Sequence, residues 1–262
     1  MKISELKKEA RIKLTGKWPL AIGINFLHLI ITFVLTYTAE NAQDLVASIL
    51  LIISAIITIP LSYGLTASML KLSRNEEVGL TDFITIGFKN FKRAFFLNLS
   101  IFIRVLIPII LFAISIVVIV LGVAFNYTTD PISLIILSLS LIWIMFISLS
   151  LALSTYILID NESTPIKEVI KTSKTLMKGN KLKLIGLVFS FFGWLLLIGI
   201  ISGVVQAYDE NLGAIIASLL SLILTPYITF AEINFYEDLA NVSKTEIKSE
   251  ATEVVIEENS IE

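Results

Sequence analysis

The sequence contains no cysteine and one histidine, His28. The first absence removes disulfides, thiolate metal sites and thiol nucleophiles. No HExxH, G-x-S-x-G or P-loop pattern occurs. The acids Glu76, Glu77, Asp160 and Glu162 stand in connections, where solvated charge is the ordinary reading. Nothing assembles a nucleophile, a base and an orienting group. The chain is therefore expected to be no enzyme, with no catalytic, metal or cofactor site and no nucleic-acid partner. Charge is scarce as well. Asp, Glu, Lys and Arg make up 16% of the 262 residues, against about 25% in an average soluble domain.

Apolar residues are abundant, at 56%, and the mean hydropathy is +0.87. Apolar runs of about 18 residues or more with few or no charges mark membrane spans. Six are expected, at about 18–39, 45–70, 97–126, 132–159, 184–208 and 212–235. Backbone polar groups in lipid must be satisfied internally, so these should be helices. A β-barrel is excluded because the runs are continuously apolar rather than alternating. The first run is read as a retained span, since Ala39-Glu40-Asn41-Ala42 is a poor cleavage site.

The scarce charges are sorted by side. Every Lys and Arg lies before span one, between spans two and three, between spans four and five, or after span six; only Arg104 enters a span. The other connections carry only acids: Glu40 and Asp44, then Asp130, then Asp209 and Glu210. The positive-inside rule places both termini and the basic connections in the cytoplasm. The segments leading into spans one, three and five read as interfacial helices, at about 2–15, 81–96 and 164–179. In the third, Ile166, Val169, Ile170 and Met177 face one side and Lys167, Lys171, Lys174 and Lys178 the other. In the second, Ile84, Phe88, Phe91 and Phe95 follow helical spacing beside Lys89, Lys92 and Arg93. In the first, Ile3, Leu6, Ala10 and Leu14 share a face.

TGKWPLAIG at 15–23 aligns without gaps to KGNKLKLIG at 178–186, pairing Gly16 with Gly179. LSYG, STYI and TPYI place Tyr63, Tyr156 and Tyr227 near the same end of each even span. The organisation expected is an all-α polytopic membrane domain over 1–239. It is built from three units of interfacial helix, span, span. The acidic stretch 240–262 has a composition that favours a disordered tail.

LIDNESTPIKEVIKTSKTLMKGNKLKLIGLVFSFFGW at 158–194 resembles the hallmark of bacterial integral-membrane proteins grouped as domain-of-unknown-function family 975. ELKKEARIKLTGKWPLAIG at 5–23 and TPYITFAEINFYEDL at 225–239 fit as well; 97–157 fits by hydropathy alone. The closing segment is more distantly similar to the membrane domains of bacterial glycerophosphodiesterases. The resemblance implies a multi-pass protein of the bacterial plasma membrane and no particular reaction.

Several residues stand out within this frame. Asn25, His28, Thr32 and Thr36 form a polar stripe on span one. Arg104 lies inside span three and Glu232 near the cytoplasmic end of span six. Ionisable groups in a membrane are usually paired, so these two are expected to meet. Gly199 and Gly203 form a GxxxG that suits close packing inside the bundle. Trp194 is too deep for an interface belt and is expected to pack internally. Gly16 and Gly179 are expected hinges, turning the chain from the membrane plane into a span.

Lys89, Lys92, Arg93, Lys167, Lys171, Lys174 and Lys178 are the expected contacts for anionic lipid headgroups; a protein partner would use the same basic collar. The leading functional class is therefore a non-enzymatic membrane protein engaging anionic lipid or a partner. The alternative is a small transporter or export and immunity component, with a polar path lined by span one and an Arg104–Glu232 pair. A membrane-embedded lipid enzyme is disfavoured by the missing catalytic groups.

Overall fold

A computed structural model describes residues 1–125 and 131–259, without the side chains of residues 44 and 243–259. The connection holding Asp130 lies outside the described residues. The helices are α1 (Ile3–Leu14), α2 (Trp18–Glu40), α3 (Asp44–Ser73), α4 (Asp82–Lys89), α5 (Phe91–Ala124) and α6 (Pro131–Leu151). They continue with α7 (Ser154–Asp160), α8 (Ile166–Leu176), α9 (Lys181–Phe189), α10 (Phe192–Gln206) and α11 (Glu210–Asn259). No β-strand occurs among the described residues.

Six stretches are long and apolar enough to cross a membrane: Trp18–Glu40, Leu45–Ser73, Phe91–Ala124, Pro131–Asp160, Lys181–Gln206 and Glu210–Val242. They match the six expected runs in order. The third begins earlier than expected, at Phe91, so Lys92 and Arg93 sit in the first turn of a spanning helix. The short helix before it is correspondingly brief and ends at Lys89, with Asn90 as its C-cap.

The fourth and fifth spans are broken without proline. At the first break Ser150 Oγ donates to the Phe146 carbonyl at 2.6 Å, and Ser173 Oγ of α8 donates to the Ser150 carbonyl at 3.0 Å. At the second, the Trp194 and Leu195 amides both donate to the Phe191 carbonyl. The Ser190 carbonyl is thereby released from the helical ladder, and Lys7 Nζ of α1 donates to it at 2.9 Å. A carbonyl freed inside a span must find a donor, and a short helix supplies one at each break.

The chain divides into two compact units: Met1–Phe91 with Leu182–Glu262, and Lys92–Lys181. The sequence reads as one domain over 1–239. The divisions fall just past Asn90 and just past Gly179, where a short helix gives way to a span. In the first unit α4 packs on α3 and α1 on α11; in the second α8 packs on α6 and α7.

The α3–α4 contact rests on two glycines. A Cβ on Gly64 would lie 1.8 Å from the Phe83 carbonyl oxygen, and one on Gly87 would lie 2.1 Å from that of Pro60. The face of α4 turned to the protein therefore carries Phe83, fully buried, and Gly87. Phe88, on the apolar face read for an interfacial helix, is 48% exposed and stands away from α3, and Phe91 and Phe95 lie past the Asn90 break on α5. Backbone approach through glycine decides this face, overriding the side-chain pattern.

α1 and α8 each bury an apolar face within the protein. Leu6, Ala10 and Leu14 are wholly buried, as are Val169 and Met177, with Ile170 nearly so. α11 continues through the acidic segment to Asn259, although the composition of 240–262 favours disorder. No glycine or proline interrupts that stretch as far as 259.

Candidate functional site

The cationic side chains fall into two groups: those bonded within the protein and those facing outward. In the first unit α1 lies along α11 and is tied to it by polar contacts. Asn234 Nδ2 donates to the Leu6 carbonyl at 3.1 Å, and Lys13 Nζ donates to Asn234 Oδ1 at 2.7 Å and to Glu237 at 2.8 Å. Glu237 also receives Arg74 Nε at 2.9 Å. Asp238 receives the Met1 amino group at 2.8 Å and Lys183 at 2.9 Å. Lys17 donates to the Leu72 carbonyl at the end of α3 and to Asn75 Oδ1. Lys7, besides holding Ser190, lies 4.4 Å above the Phe191 ring.

Burial lowers the pKa of Lys7, with a smaller push from Arg11, and lowers that of Lys17, with a smaller push from Lys13. These cations hold the structure together rather than face lipid. Lys183, bonded to Asp238, belongs with them. The sequence signal for this cluster is Glu237-Asp238, a pair of acids just past the last expected span and inside the 1–239 domain.

In the second unit Arg93 also turns inward. Its Nη2 donates to the carbonyls of Asn161 and Thr164, at 2.9 and 3.1 Å, closing the turn before α8. Among the expected headgroup contacts it is thus a structural group. Lys167, Lys171, Lys174 and Lys178 are all exposed, opposite the buried Val169 and Ile170. Lys89 and Lys92 are exposed on their own elements.

The polar stripe on α2 is largely spent on its own helix. Asn25 Nδ2 donates to the Ala21 carbonyl, Thr32 Oγ1 to that of His28 and Thr36 Oγ1 to that of Thr32. His28 meets Phe83 of α4 edge-on at 6.0 Å, and its Nε2 is buried with no hydrogen-bond partner among the described residues. Arg104 and Glu232, expected to meet, belong to different units. Arg104 Nη1 donates to the carbonyl and hydroxyl of Ser100, one turn back on α5. Glu232 is partly buried on α11, flanked by the fully buried Ala231 and Ile233.

Arg104 is instead gathered with Lys174, Lys178 and Lys181 around a cleft of about 450 Å³, floored by Trp143 and Phe146 of α6. Lys181 Nζ stands 3.1 Å above the Phe146 ring.

Gly16 and Gly179 are both left-handed, at φ +78° and +82°, with nothing near the place a Cβ would occupy. Conformation, and not crowding, calls for glycine there. Two readings are corrected. Trp194 is 55% exposed and lines an open apolar groove of about 250 Å³ with Trp18 and Tyr227. Gly199 and Gly203 meet no atom within 4 Å of an added Cβ, so the GxxxG packs against nothing within its own unit.

Six helical stretches long and apolar enough to cross a membrane mark a multi-pass helical membrane protein. A family described as protein of unknown function (DUF975) matches residues 1–243. The chain belongs to this family. No curated protein and no solved structure matches it.

Proposed function

We propose that the protein is a non-enzymatic component of a bacterial plasma membrane whose cytoplasmic face binds anionic lipid. The observation that carries this reading is the division of the cations. Lys7, Lys13, Lys17, Arg74, Arg93 and Lys183 are bonded to protein groups, whereas Lys89, Lys92, Lys167, Lys171, Lys174 and Lys178 are exposed. A cation kept in the open beside an apolar surface fits a headgroup, and each contributes about 1 kcal/mol near an anionic leaflet. α8 then lies in the interface as an amphipathic helix. The transport reading asks for a polar path, and the hydroxyls of Thr32 and Thr36 turned back to their own helix lend it no support.

The three-unit repeat belongs to the same proposal. Each unit is a short helix followed by two spans. α4 packs on α3 and α8 on α7, each on the span that ends the preceding unit, and α1 packs on α11, which ends the last. The left-handed Gly16 and Gly179 occupy matching joints.

Melting in mixed micelles with phosphatidylglycerol or phosphatidylcholine tests the lipid reading. Wild type should melt higher with the anionic lipid, and the difference should shrink with salt. Replacing Lys89, Lys167 and Lys171 together by Gln should remove much of the difference. Lys13→Gln should lower melting equally in both lipids. Identical wild-type melting in the two lipids would refute the reading.

A further inference from the structure

Arg104, Lys174, Lys178 and Lys181 come from a span, a short helix, the Gly179 turn and the start of the next span, and all four line one cleft. Among the described residues no carboxylate lines it. Four cations around a space of about 450 Å³ repel one another, which an anion in the cleft would relieve. The volume falls in the usual range for small-molecule sites, about 300–1,000 Å³. Arg104 is also pre-set. Its Nη1 is held by Ser100, and a guanidinium offers three more N–H donors from Nε and Nη2.

The floor is of the opposite character. Trp143 and Phe146 are 45% and 58% exposed. They belong to α6 and, with Ile147, give the cleft an apolar lining beside its four cations. A free anion has no use for that surface; a lipid has acyl methylenes to lay on it.

We propose that this cleft is a specific site for one anionic phospholipid carrying two negative charges in its headgroup. Phosphate oxygens lie among Arg104, Lys174, Lys178 and Lys181, and the first acyl methylenes lie on Trp143 and Phe146. A single phosphodiester would leave most of the cationic charge unmatched; a phosphomonoester, or two linked phosphodiesters, matches it better. Basic pockets between spans on the cytoplasmic side are a recurring form of headgroup recognition. The proposal rests on the lipid reading above and sharpens it from a diffuse collar to one bound molecule.

Native mass spectrometry of the full chain in detergent, titrated separately with cardiolipin, phosphatidic acid and phosphatidylglycerol, tests it. One doubly charged lipid should be retained per chain, about tenfold tighter than phosphatidylglycerol. Lys178→Gln and Arg104→Gln should each weaken that binding about tenfold. Lys178 is exposed, so its variant remains informative should Arg104→Gln fold poorly. Lys167→Gln with Lys171→Gln, on the same helix but outside the cleft, should leave it unchanged.

Equal weakening by both sets would overturn the cleft and leave the collar standing. Unchanged binding in Lys178→Gln and Arg104→Gln would overturn it as well. No discrimination among lipids, including phosphatidylcholine, would sink both ideas. Displacement of the lipid by inorganic phosphate at equal concentration would make it an ion site and overturn the lipid assignment.

Discussion

Gly179 shows what one residue decides. The turn after α8 needs a backbone at φ +82°, and space around it is open. A left-handed conformation costs an L-residue roughly 1–2 kcal/mol, more for a β-branched one, while Asn tolerates it best. Gly179→Val should therefore lower stability by about 2 kcal/mol. Gly179→Asn should lose less than half of that, and Lys178→Ala should stay within about 0.5 kcal/mol, as exposed surface changes usually do. Detergent melting of the three variants ranks them. If Lys178→Ala is the damaging one, charge rather than backbone geometry holds the turn. Gly16 was legible for the same reason: both glycines follow a basic amphipathic stretch and precede an apolar run, and chain direction must change there. Gly64 and Gly87 were not legible. Their requirement comes from the other helix, and nothing in the local pattern announces which glycine a neighbour will press against.

At the scale of elements, the spans could be read from composition because lipid imposes one rule on every long segment. The breaks at Ser150 and Ser190 could not be. Each depends on a donor far away in sequence, Ser173 in one case and Lys7 in the other. The sorting of cations was hidden likewise. A sequence shows how many lysines surround the membrane, but Lys13 and Lys183 are claimed by Glu237 and Asp238 only once α11 lies beside their elements. The docking of α4 gives the sharpest test. Gly87→Ala would press a methyl group onto the Pro60 carbonyl, which is backbone and cannot swing aside. Overpacking of this kind costs about 1–3 kcal/mol or more. Gly199→Ala meets nothing within 4 Å and should be neutral or slightly stabilising. Melting of the two single variants should separate them clearly. A neutral Gly87→Ala would mean that α4 is not held on α3 by close backbone approach, and a destabilising Gly199→Ala would return the GxxxG to a packing role.

The whole molecule is organised by sidedness. The short helices α1, α4 and α8 precede spans one, three and five, and every Lys and Arg except Arg104 lies in or beside the chain segments at those same span ends, while the alternate connections carry Glu40, Asp209 and Glu210. Insertion reads such a bias directly, because Lys and Arg near span ends resist translocation and acids contribute little. The structural ion pairs reinforce it. Met1, Lys13, Arg74 and Lys183 converge on Glu237 and Asp238 near the end of the last span, so the N-terminal helix and the start of the C-terminal segment must share a side. Reporter fusions at Ala42 and Glu210 should therefore give the external signal, and one after Lys248 the cytoplasmic signal. The bias is strong enough that neutralising one or two lysines should not invert the protein. Replacing Lys167, Lys171, Lys174, Lys178, Lys181 and Lys183 together by Gln should produce a mixed population at the Glu210 fusion, since those residues alone mark the side of the loop before span five. An unmixed external signal from that variant would mean that the earlier spans set the orientation of the last two, and that the lysines of α8 are kept for headgroups rather than for insertion.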